Sequence, residues 1–120
     1  MFIKNFKDCK EIIVAGKIIL REFLHPEKDG IDIRYSIAHA RVKPGDNMSP
    51  HKIRSTEVYY ILKGNGIMNI NGESKEVEEG CAIYIPPNTT KYIRNVGDED
   101  LEFLCIVDPA WRPEDEIKIE

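Results

Sequence analysis

Apolar residues along this 120-residue chain recur at every second position in short runs, and a helical period is absent apart from one turn in the tail. Over residues 31–43, Ile31, Ile33, Tyr35 and Ile37 share one parity while Asp32, Arg34 and Ser36 take the other. Such alternation predicts strands, because successive side chains of an extended backbone point to opposite faces. Further strands are predicted over residues 17–24, 57–62, 73–77, 81–86 and 101–107, with short extended segments around His51 and over 91–95. Turn chemistry separates them. Asn65-Gly66 and Asn71-Gly72 predict two-residue hairpins, since asparagine followed by glycine suits two consecutive positive φ angles. His25 to Gly30 reads as a polar loop, Pro44-Gly45 and Glu78 to Gly80 as turns, and Val96 to Asp100 as another. The tail from Asp108 carries two prolines and a cluster of acids, with one helical turn predicted at 113–116. Short strands at a spacing of about ten residues predict an all-β sandwich or barrel.

Composition narrows the class. The chain is 42% hydrophobic and 32% charged, as in an ordinary globular protein, and its length suits one domain spanning 1–120. A net charge of −4 argues against a nucleic-acid partner, which needs a concentrated positive face. No apolar run approaches the roughly 18 residues of a membrane helix, and the first ten residues interleave charges rather than forming a signal-peptide core. Three cysteines, Cys9, Cys81 and Cys105, are odd in number and widely spaced, which predicts reduced thiols and a cytoplasmic setting.

Two stretches carry the candidate chemistry. In the first, Gly45 is followed after five residues by His51, then by Ile53, Glu57 and, six residues further on, Gly64. In the second, Gly80 is followed after five residues by Pro86, then by Asn88, Lys91 and Asn95. Together they resemble the two signature motifs of the cupin superfamily, and the likeness runs over about residues 33–110. That resemblance implies a jelly-roll β-barrel, with residues 1–30 adding an N-terminal strand segment and 108–120 a tail. It also implies a metal site of three imidazoles and one carboxylate inside the barrel, a donor set suited to Zn, Mn, Fe, Ni or Cu. In this chain the second histidine position is Ile53 and the third is Lys91, so only His51 and Glu57 remain as metal ligands. Isoleucine donates no electron pair, and a lysine ammonium repels a cation.

The remaining side chains fill out a candidate pocket. Glu57 is expected to point inward, because Thr56 and Val58 take the opposite parity. Lys91 has three readings: an inward ammonium paired with Glu57, a desolvated amine acting as a base or Schiff-base nucleophile, or a stem that snorkels to solvent. Tyr59, Phe103, Cys105 and Ile53 read as pocket wall, and Tyr59 and Cys105, at inward strand parities, are candidates to complete a metal site. His25 and His39 read as structural. Trp111 reads as a cover over the barrel end, or as a dimer contact. Three functions stay open: a small-molecule-binding barrel with weak or no metal dependence, a metal-dependent enzyme (dioxygenase, isomerase or decarboxylase) using His51 and Glu57, or a metal-independent acid–base enzyme. Exposed sheet edges predict a homodimer in which the N-terminal strand pairs with a neighbouring subunit.

Overall fold

The computed structural model describes residues 1–119 and consists mainly of antiparallel strands in two sheets. In chain order these are β1 (Glu11–Val14), β2 (Ile18–Leu24), β3 (Ser36–Val42), β4 (His51–Ile53), β5 (Thr56–Lys63) and β6 (Asn65–Ile70). They continue as β7 (Glu73–Glu78), β8 (Ala82–Ile85), β9 (Lys91–Asn95), β10 (Leu101–Asp108) and β11 (Glu116–Lys118). One sheet has the order β1-β2-β3-β10-β5-β8, the other β11-β4-β9-β6-β7. They face each other as a jelly-roll barrel, with alternate residues of each strand turned inward. Ile18, Val42, Ile61, Ile93, Leu101 and Phe103 are almost fully buried between them and form the centre of the core.

Several elements depart from the sequence expectation for identifiable reasons. The strand foreseen from residue 31 begins only at Ser36, opposite Val107. Its partner β10 ends one residue later, before Pro109, which has no N–H to continue a ladder, and the preceding segment bonds irregularly instead, Ala110 N–H donating to the Arg34 carbonyl and Ile31 N–H to that of Pro26. The expected loop at 25–30 contains one helical turn, α1 (Pro26–Asp29). His25 caps it, its Nδ1 accepting from the backbone N–H groups of Glu27 and Lys28, and Gly30 closes it in a left-handed conformation.

Asn71-Gly72 forms the expected hairpin turn, with φ of 48° and 87°. Asn65-Gly66 does not. The chain turns at Gly64 and passes from one sheet to the other, so β5 and β6 are not hairpin partners. Gly66 serves packing instead: a Cβ there would lie 2.8 Å from the Arg94 carbonyl oxygen. The expected helical turn in the tail is present as a 3-10 turn over Pro113–Asp115, but β11 beyond it was not foreseen. At the other end, β1 pairs with β2 of its own chain and leaves its outer edge open.

Candidate functional site

Strand parity brings the singled-out residues together at one end of the barrel. In the five-stranded sheet His51 and Lys91 are direct cross-strand partners. From the other sheet β5 turns Glu57, Tyr59 and Ile61 inward, and β10 adds Phe103, Cys105 and Val107. The Lys91 ammonium makes an ion pair with Glu57 Oε1 in the interior, and the two side chains are only 1% and 5% exposed. Among the described residues neither atom has a further hydrogen-bond partner. The other carboxylate oxygen of Glu57 receives the Cys105 thiol at 3.3 Å.

The titration states follow from these neighbours. Burial, reinforced by the Glu57 carboxylate, pushes the Cys105 thiol well above its usual pKa, so it remains a neutral S–H donor. Burial does the same to Tyr59, whose hydroxyl points at the Met48 sulfur at 3.8 Å. His51 moves the other way: burial first and the Lys91 charge second hold its pKa below the ordinary value, so the ring is neutral at pH 7. Its Nδ1 lies 3.0 Å from the Ser49 carbonyl oxygen, which can only accept, so the proton sits on Nδ1. Nε2 therefore carries a lone pair, and His51 is a wall residue of the cavity.

That cavity has a volume of about 70 Å³, room for a ligand of a few non-hydrogen atoms. Ile53, Tyr59, Phe103 and Cys105 line it, together with His51 and Glu57. Lys91 requires a correction. It is fully buried behind Glu57 and is not part of the wall, so it acts on the cavity through the carboxylate it holds. The snorkelling alternative fails for the same reason.

Sequence reasoning missed Glu22 and Glu116, which also line the cavity. Glu22 carried a signal, since it shares the parity of Ile18 and Leu20 in β2. Glu116 carried none, because it enters through a three-residue strand in an acidic tail. Trp111 lines the same space and is held in three ways. Its N–H donates to Ser36 Oγ, its carbonyl accepts from His25 Nε2, and its Nε1–H donates to Glu116 Oε2. His39 faces away, bonded to Glu102 at 3.0 Å on the outer side of the sheet. Both histidines read as structural thus have structural partners.

A cupin-type metal does not fit this donor set. Among the described residues no three His, Cys, Asp or Glu side chains converge on one point. The position a third imidazole would take holds an ammonium, and that ammonium occupies the carboxylate that would bind the ion. No described helix is long and apolar enough to cross a membrane.

Comparison with known proteins places these features in context. The family described as Cupin domain matches residues 38–107. An uncharacterised protein of Methanocaldococcus jannaschii is 40% identical over 112 residues, covering 92% of this chain and 89% of that protein. An oxalate-binding protein of Thermotoga maritima is 26% identical over 106 residues, covering 88% of this chain and 83% of its own. Among solved structures, the polyketide cyclase RemF of Streptomyces resistomycificus superposes with a TM-score of 0.83 at 24% identity, covering 100% of this chain and 86% of the cyclase. A binding protein and a cyclase on one architecture show that the barrel itself does not fix the chemistry.

Proposed function

The chain belongs to the cupin family, and on that premise we propose that it is a small-molecule-binding barrel whose site works without a transition metal. The Lys91–Glu57 ion pair carries this reading. A buried carboxylate needs a cation or several donors, and here the protein supplies the cation from its own chain. The wall presented to a ligand is mainly apolar, with His51 Nε2 and Glu57 as convergent polar groups, which is the usual composition of a small-molecule site. The oxalate-binding relative supports a binding role in a chain of similar length.

Metal analysis of the purified protein tests the proposal. The expected content is far below one transition-metal ion per chain, and a stoichiometric ion retained through dialysis against a chelator overturns it. A second reading, a metal-independent acid–base enzyme, is favoured by one observation: His51 is neutral at pH 7 with Nε2 free, as a general base requires. Turnover that vanishes in His51→Gln would establish it. The homodimer belongs to the same reading. The open edge of β1, with Ile13 exposed beside it, is the surface for it, and light scattering at micromolar concentration reads the outcome.

A further inference from the structure

The hydrogen-bonding character of the cavity is one-sided. Among the described residues three carboxylates, Glu22, Glu57 and Glu116, contribute to its wall, and no lysine or arginine does. Glu57 is compensated from behind by Lys91, yet its Oε2 receives only a weak thiol donor. Glu116 accepts the Trp111 indole N–H at 3.3 Å and has no cationic partner among the described residues. His51 is 9% exposed, and its Nε2 lone pair has no donor among the described residues. Most donors nearby are already committed, Trp111 Nε1 to Glu116, the Cys105 thiol to Glu57 and the Tyr59 hydroxyl to Met48, which leaves the Ser36 hydroxyl, an acceptor from the Trp111 N–H, as the neutral donor on the wall. An anion entering this space would meet lone pairs. A group rich in N–H donors would meet partners.

The chain itself shows how a cation sits against this wall. Lys28, on the single turn α1, places its ammonium 2.8 Å from Glu22 Oε1 and 5.8 Å from the centroid of the Trp111 ring. Both partners line the cavity, and the Lys28 side chain is 60% exposed, so it reaches them from the solvent side. A carboxylate beside an aromatic face is a favourable setting for an ammonium, through charge and through the ring quadrupole.

We propose that the cavity takes a small organic monocation, an alkylammonium whose apolar body packs on Phe103 and Leu20 while its N–H groups reach Glu116 and His51 Nε2. This rests on the small-molecule-binding reading above and adds the ligand's charge and class. Lys28, held on Glu22 beside Trp111, then sets a like charge at the rim that opposes the entry of a second cation.

Trp111 is the only tryptophan of the chain, so its fluorescence reports on the cavity directly. The experiment titrates the intact protein with three probes of similar size: n-propylammonium, propionate and 1-propanol. Saturable quenching or a spectral shift is expected with propylammonium, with propionate inert and propanol weaker. Glu116→Gln, checked for an unchanged circular dichroism spectrum, is expected to weaken propylammonium roughly 10- to 100-fold, the loss of one charge-assisted hydrogen bond. Lys28→Gln is expected to tighten it several-fold, which a purely structural lysine would not do. Propionate binding as well as propylammonium overturns the cation assignment while leaving a small-molecule site in place. Unchanged affinity in Glu116→Gln also overturns the assignment. Silence with all three probes removes the binding reading along with it.

Discussion

Two ion pairs in this protein have opposite surroundings. Arg34 grips Asp108 through Nε and Nη2, each bond 2.8 Å long, while 80% of the arginine side chain stays in water. Lys91 and Glu57 have a single point of contact, and both are almost completely enclosed. Contact geometry alone would rank the surface pair higher. Solvent reverses the order, because water screens the first pair and replaces it readily, whereas nothing replaces either partner of the second. The interior pair therefore governs stability when it is broken, without being the source of a large net gain when it is whole.

The sharpest way to break that comparison is Lys91→Met, which strands a buried carboxylate. The expected cost is about 3–5 kcal/mol in urea unfolding, and the double variant Lys91→Met with Glu57→Leu is expected to recover most of it. A double variant as unstable as the single one would mean that the pair itself, and not its compensation, supports the barrel. Next comes exchange of the cation for metal ligands. Ile53→His combined with Lys91→His restores three imidazoles beside Glu57, and equilibrium dialysis should show uptake of zinc or nickel that the parent lacks. Equal uptake by the parent would contradict the proposed role of Lys91.

A smaller effect comes from His51, which neighbours the buried pair. Its folded pKa lies below the unfolded value near 6.5, so the unfolded chain binds more protons in that range. Stability is then fully present above about pH 6.5 and declines as pH falls through the folded value. His39, also lowered by burial, contributes in the same direction. His51→Gln should flatten part of the decline in the urea midpoint between pH 7 and pH 5, and an unaltered profile would assign all of it elsewhere. The smallest effect belongs to the surface. Asp108→Asn, removing the carboxylate from Arg34, is expected to leave the urea midpoint unchanged within error.

The two kinds of region also differ in how far the sequence reveals them. Glu57 and His51 were legible because inward positions in a strand obey a period of two, and the three motif glycines and Asn95 set the register of the chain around them. Lys91 was legible as a residue type that excludes a metal ligand, but not in its depth. Whether a lysine reaches a cavity or lies behind its wall depends on packing across the two sheets. Glu116 and the β11–β4 pairing were not legible, since three residues in an acidic tail have no periodicity to detect. The apparent Asn65-Gly66 hairpin misled for a related reason: the glycine is required by a close approach to the Arg94 carbonyl and Leu101, a long-range contact that imitates a local turn signal.

The placement of β10 has a consequence for how the chain acquires its shape. It lies between β3 and β5, and it alone joins the β1-β2-β3 half of its sheet to the β5-β8 half. Until Asp108 has left the ribosome, both halves present unsatisfied backbone edges to each other and to any neighbouring nascent chain. Assembly of this sheet is thus deferred until β10 has emerged, and the period of greatest exposure to mispairing falls just before that strand arrives.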